Sequence, residues 1–270
     1  MRINPAMDAL ATDVGRAAPP RDPRSIGDLP ARDYDALRYI AAWYQVAQYQ
    51  LEDAVFAGRS ATIASRSVRR LAAAGYVAVE RWNRVGVNLL RVTARGRGAL
   101  IERGGEERAI FVPEKAVALK DLAHHLWIVD TGRALQGLAA RLEVAPCWSL
   151  RRNLAALKPA AIPDLLALRS GSAGATVAAV AVEVDLGGEG LRNVLVPKLA
   201  LLRETLGGWA GGQAAAIIVL TVGPRRIAAL NAALERLPHR IPIVVLPLPR
   251  AVGKPALAGL RASLADVLSS

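Results

Sequence analysis

The sequence predicts a mixed α and β chain: an N-terminal winged helix-turn-helix, a helical linker and a C-terminal α/β domain. Three observations predict it. Residues 33–103 read as helix, helix, helix, strand, wing, strand and helix. From about residue 145, apolar strand-like runs alternate with helical patterns, the order of a layered α/β sheet. Arginines crowd the first part, while paired acids mark the strands of the second.

The elements follow from periodicity and punctuation. Residues 1–30 mix Pro, Asp, Arg and Ala without a steady period and read as a disordered arm. Asp33–Trp43 places Leu37, Ile40 and Ala41 on one helical face. A short helix over 49–56 ends before Gly58. Ser60 is an N-cap for a helix over 61–74 that Gly75 closes. Strand-like runs at 76–81 and 88–93 flank a wing at 82–87, and Thr93 caps a helix over 94–103. Residues 31–103 thus form one domain, and 104–144 a linker containing a long helix over 114–142, interruptible at Gly132 or Gly137. The second domain, 145–250, carries strands at 162–168, 176–185, 214–222 and 241–246, with helices at 191–206 and 225–236. Residues 251–270 close the chain with a helix.

Composition narrows the function. The chain is 53% hydrophobic, so it can bury a large core, and its net charge of +12 points to polyanionic partners. Only five of the 35 basic residues are lysines, a bias with two sources: arginine forks match phosphate and guanine, and GC-rich coding favours Arg and Ala. The single cysteine, Cys147, precludes an internal disulfide, and no Cys/His cluster has zinc spacing. The N-terminus lacks a signal-like apolar core, and the longest apolar run, 214–222, is half a membrane span. These features predict a cytoplasmic protein with no membrane partner.

The charge is not spread evenly. Between residues 59 and 103 there are ten arginines and only two acids, Glu80 and Glu102. Arg59, Arg66, Arg69 and Arg70 recur at spacings that share one helix face, and Ser60, Thr62 and Ser65 sit at the end that enters a DNA groove in this motif. Arg81, Arg84 and Arg91 of the wing, with Arg95 and Arg97 beyond it, would hold flanking phosphate. Trp82 and Asn83 at the wing tip either reach the minor groove or brace the turn. The expected partner is double-stranded DNA. A homodimer is expected from the two-fold symmetry of palindromic sites.

The second half offers a different chemistry. Glu183 and Asp185 are two apart on a strand and share a face, and Asp164 lies across a short turn on the preceding strand. Three buried carboxylates need a balancing charge. Mg²⁺ would supply it and would activate water for phosphodiester cleavage. Alternatively the acids pair with Arg151, Arg152 or Lys198. His124 and His125 are adjacent on a helix and cannot face each other, so one packs or caps at the domain junction and the other is exposed. Cys147 and Ser149 have no nearby His to activate them. The glycines of LGGEG, 187–190 less Glu189, form a turn without a phosphate-loop signature.

Taken together, the segments LAHHLWIVDTGRAL, Trp148–Leu154, Pro163-Asp164 and VAVEVDLGGEGLRNVLVPKLALLRE, placed after a winged helix, resemble the replication-relaxation family of plasmid and integrative-element proteins over residues 32–248. The resemblance implies a restriction-endonuclease-like fold for 145–250. It also implies a role in plasmid replication, DNA relaxation, mobilisation or transcriptional control, with replication or conjugation proteins as partners. The nuclease pattern of that superfamily places Lys two residues after the second acid; here Asp185 stands there. Lys198 on the following helix would supply the charge from elsewhere, giving Asp164, Glu183, Asp185 and Lys198 as a catalytic set and the three acids as metal ligands. That departure favours a DNA-binding protein with a non-catalytic nuclease-like domain; the alternative is a Mg²⁺-dependent endonuclease or nickase.

Overall fold

A computed structural model describes residues 29–83, 86–104, 110, 115–138, 142–153, 159–170, 176–188, 190–209, 214–237, 241–249 and 254–269. Most of the arm expected at 1–30, Arg84 of the wing and Glu189 lie outside them. The first part comprises α1 (Ala31–Ala42), β1 (Val46–Ala47), α2 (Gln48–Val55), α3 (Ala61–Ala73), β2 (Val77–Trp82), β3 (Val87–Val92) and α4 (Ala94–Glu102). Its three strands form an antiparallel sheet in the order β1-β3-β2. The punctuation works as the residues suggest. Thr93 Oγ1 accepts from the Gly96 N–H at 3.1 Å, satisfying an orphan donor of α4. Gly75 takes the left-handed backbone that ends α3. Ser60 occupies the N-cap position of α3 in extended backbone but makes no side-chain cap.

The second part comprises α5 (Leu119–Gln136), β4 (Leu142–Pro146), α6 (Cys147–Asn153), β5 (Leu165–Ser170), β6 (Thr176–Asp185), a π-helical turn (Leu191–Leu195), α7 (Val196–Trp209), β7 (Ala214–Thr221), α8 (Pro224–Leu234), β8 (Ile243–Pro247) and α9 (Lys254–Ser269). The sheet is five-stranded and mixed, in the order β4-β5-β6-β7-β8. β4, β5 and β6 pair antiparallel, and β6, β7 and β8 pair parallel. Alternation along β6 sorts its side chains between two cores. Val180, Val182 and Val184 join a cluster with Leu257, Leu260 and Leu264 of α9 and with α5. Ala179 and Ala181 join Leu195, Leu199 and Leu202 beside α7, and Leu230 of α8.

The chain from 104 to 144 differs from a simple helical linker. The long helix is unbroken at Gly132, where a Cβ would come within 2.1 Å of Trp43 Cη2; glycine lets α5 approach α1. The helix stops at Gln136, capped by Gly137. Leu142–Pro146, expected as the helix end and the start of the second domain, instead pair with β5 as an edge strand. That pairing joins residues 19 (Pro146 and Leu165) to 27 (Leu142 and Arg169) positions apart and has no local signature. α5 is buried along most of its length, and one hydrophobic cluster runs from Leu37 and Ile40 of α1 through Ile128 and Val129 to Ile218 of β7.

Polar contacts fasten the two parts to each other. Asp130 on α5 accepts from Tyr49 Oη and Gln50 Nε2, both at 2.9 Å. Asp53 on α2 accepts from Arg261 of α9 at 3.0 Å and from Arg133 of α5 at 3.4 Å. His125 is buried, and its Nε2 lies 2.7 Å from the Gln45 carbonyl. Burial holds its pKa down to about 4, against the backbone contact, so it is a neutral packing residue.

Candidate nucleic-acid interface and acidic site

α3 buries Ala64, Ser67, Val68 and Leu71 and turns the opposite face outward. Thr62, Arg66 and Arg69 are exposed on that face, with Arg59 and Ser60 exposed just before the helix. No acid pairs with Arg59, Arg66 or Arg69 among the described residues. Arg70 behaves differently from the other three. Its Nε binds Asp33 Oδ2, and Ser67 Oγ binds the other oxygen of that fully buried acid. The Asp33 hydrogen bond outweighs desolvation and raises the Arg70 pKa, so its charge is fixed to α1 and not offered whole to a groove.

On the hairpin, Arg81 is exposed and Arg91 half-buried. Arg81 Nη1 donates to Asn88 Oδ1 at 3.2 Å. Trp82 packs with Leu89, Leu122 and Leu126, bracing the hairpin on α5, the second of the two roles its position allowed. Arg95 is exposed and lies 5.4 Å over the Tyr76 ring, and Arg97 is half-buried on the same helix. Ser65 is half-buried, its hydroxyl accepting from Gln48 Nε2 at 3.0 Å.

The three acids of the second part are all buried, but each has its own partners. Asp164 precedes β5, where the strand pairing gives out. Its Oδ2 accepts from the Val184 N–H at 2.9 Å, replacing the strand that is no longer there. Nε2 of His124 on α5 sits 2.8 Å from the Val184 carbonyl and 3.2 Å from the same Asp164 oxygen. The peptide between Glu183 and Asp185 is thus held on both sides. Burial would raise the Asp164 pKa, but the His124 hydrogen bond and charge, Lys198 and the Val184 N–H bring it below the usual carboxylate value. Burial likewise works against a charged His124, and Asp164 overcomes it to raise the imidazole pKa.

Glu183 lies on the α7 side of the sheet, and Lys198 reaches back from the first turn of that helix to its Oε2 at 2.6 Å. Asp185 points the same way along the strand but is claimed by α8. Arg226 binds both its oxygens, Thr221 Oγ1 donates at 2.6 Å, and the Gly187 N–H donates at 2.9 Å. Burial opposes the charge of Asp185, yet these donors hold its pKa below the usual range.

The structure therefore brings Asp164, Glu183 and Lys198 to one end of the sheet and diverts Asp185 to Arg226. The Mg²⁺ set of three carboxylates does not fit this arrangement: among the described residues no three His, Cys, Asp or Glu side chains are grouped to hold a metal ion. Arg226, not Arg151 or Arg152, balances Asp185. The sequence reading missed His124. Adjacent helical residues diverge by about 100°, so His124 can face the acids while His125 faces the Gln45 loop, but only the packing shows which does which. The Cys147 thiol is pushed up to about 11, chiefly by burial and then by Asp164, and remains protonated. Ser149 accepts from Asn153 at 3.3 Å.

No protein-family model matches the sequence, and no curated protein matches it. No helix among the described residues is long and apolar enough to cross a membrane.

Proposed function

We propose that the chain is a double-stranded-DNA-binding protein whose residues 31–103 form a winged helix-turn-helix. The observation that carries the reading is the exposed row of Thr62, Arg66 and Arg69 on α3, following Arg59, with no acid among the described residues to neutralise it. Arg69 Nε also donates to the Ser65 carbonyl at 3.4 Å, which leaves its charge uncompensated; exposed cations without an acid partner are available to phosphate and to guanine edges. Arg81 and Arg91 on the hairpin supply flanking contacts. In this reading residues 145–250 are a restriction-endonuclease-like domain without cleavage activity. The biological setting, replication, mobilisation or transcriptional control in a mobile element, is taken from the family resemblance, as are replication or conjugation partners; homodimerisation is expected from the two-fold symmetry of palindromic sites.

Fluorescence anisotropy with a random-sequence duplex across a salt series tests the reading. The expected result is binding that weakens steeply with salt, with a slope near −0.9 for each phosphate neutralised. Salt-independent binding, or none, sinks it and leaves a protein-binding adaptor.

A second reading, a metal-dependent endonuclease, draws on the approach of Lys198 to Glu183 beside Asp164. It requires His124 and Lys198 to yield the acids to a cation. Mg²⁺-dependent nicking of supercoiled plasmid, abolished by Glu183→Ala, would establish it. No nicking by the unaltered chain, with duplex binding intact, leaves the DNA-binding reading alone.

A further inference from the structure

We infer that Gln48 and Asn88 are positioning residues that tie the hairpin to α3, so that both elements meet one DNA site at a set spacing. The inference rests on the DNA-binding reading above. It starts from strand register. In the antiparallel sheet Ala47 pairs with Leu89, and Arg81 pairs with Asn88. Continuing the first pairing by one residue places Gln48 opposite Asn88, at the point where β1 becomes α2. Gln48, Asn88 and Arg81 therefore form a row across the three-stranded sheet, joined by side chains. Arg81 Nη1 donates to Asn88 Oδ1 at 3.2 Å, and Asn88 Nδ2 donates to Gln48 Oε1 at 2.8 Å. Gln48 Nε2 then donates to Ser65 Oγ on α3 at 3.0 Å and to Glu52 Oε1 at 3.2 Å.

The direction of this relay is fixed by chemistry. A guanidinium only donates and a carboxylate only accepts, so Arg81 at one end and Glu52 at the other set both amides between them. Two consequences follow. The Arg81 guanidinium is held over the hairpin at a defined distance from α3. The Ser65 hydroxyl, already accepting from Gln48, keeps its own proton for an acceptor on the DNA; no described residue receives it. Ser65 becomes a donor on the face that carries Arg66 and Arg69. Trp82, the neighbour of Arg81, points to the opposite side of the hairpin and packs on α5, so the relay and the apolar contact hold the hairpin from its two faces.

A double-mutant cycle in the full chain tests this, using the duplex that the unaltered chain selects from a random-centre pool. Arg81→Met alone should weaken binding about tenfold, and in a Gln48→Met background by about twofold or less, because an untethered Arg81 has lost most of its effect. Arg66→Met, outside the relay, should lose the same factor in either background. Equal Arg81→Met effects in both backgrounds overturn the relay alone. A chain that selects nothing and binds the pool without salt dependence overturns the DNA-binding reading and the relay with it. Where Gln48→Met abolishes the cooperative thermal transition, Asn88→Ala takes its place in the cycle with the same two outcomes.

Discussion

The basic face of α3 and the acidic end of the five-stranded sheet treat charge in opposite ways. Arg66 and Arg69 on α3, and Arg59 just before it, face solvent without an acid among the described residues. At the sheet, Asp164, Glu183 and Asp185 are buried, and each is balanced from a different helix: by His124 on α5, Lys198 on α7 and Arg226 on α8. The contrast separates charge left exposed at the surface from charge consumed by the fold. Exposed cations cost little to leave unpaired, whereas a buried carboxylate must be compensated within the molecule. Arg70 shows that a basic residue can belong to the second kind even on the same helix, because Asp33 takes it.

The comparison breaks most visibly if the α3 arginines are removed. Arg66→Ala with Arg69→Ala should weaken duplex affinity by roughly 10- to 100-fold at moderate salt and lower the salt slope by about two. Anisotropy across a salt series reads both, and an unchanged slope would place the DNA contact elsewhere. Thermal stability should be nearly unaltered, since neither side chain is buried.

Asp33→Ala should do the reverse. Removing this fully buried acid leaves Ser67 Oγ and the Arg70 guanidinium without their acceptor and should cost about 1–3 kcal/mol in chemical denaturation. Gly132→Ala tests the joint between the halves and should cost about 1–3 kcal/mol through the clash with Trp43. A neutral result would mean that α5 can move away from α1 freely.

The acidic end should show itself in pH dependence. The Asp164 pKa is lowered on folding, so its stabilisation is present above about pH 4 and lost as pH falls through the lowered value. The His124 pKa is raised, so its stabilisation is present below about pH 6.5 and lost as pH rises through the raised value. The pair therefore contributes most between about pH 4 and 6.5. Thermal midpoints for Asp164→Asn should lose this hump relative to the unaltered chain; a parallel curve would refute the assignment. The smallest effect is local: Thr93→Ala removes the α4 cap and should cost about 1 kcal/mol.

The limits of sequence reading follow from how far apart the interacting residues lie. β6 runs over Thr176–Asp185 and β7 starts at Ala214, as their apolar runs predict, because a buried strand announces itself within its own residues. β4 did not: Leu142–Pro146 is short, follows a helical pattern and exists only through β5. The two-residue β1 was likewise invisible without β3.

By itself the sequence determined the mixed α and β character, the order of most helices and strands, the cap at Thr93, and the concentration of arginine before residue 104. These depend on neighbours a few positions away, where periodicity and backbone preference act. Only the tertiary structure decided that Arg226 takes Asp185, that Lys198 meets Glu183, that His124 joins Asp164 and that Gln48 bridges the hairpin to α3. A buried charge is balanced by whichever group packing brings within hydrogen-bond reach, and that group lies 15 to 41 residues away at the sheet and 37 for Asp33 and Arg70 of α3; the neutral Gln48–Ser65 bond spans 17.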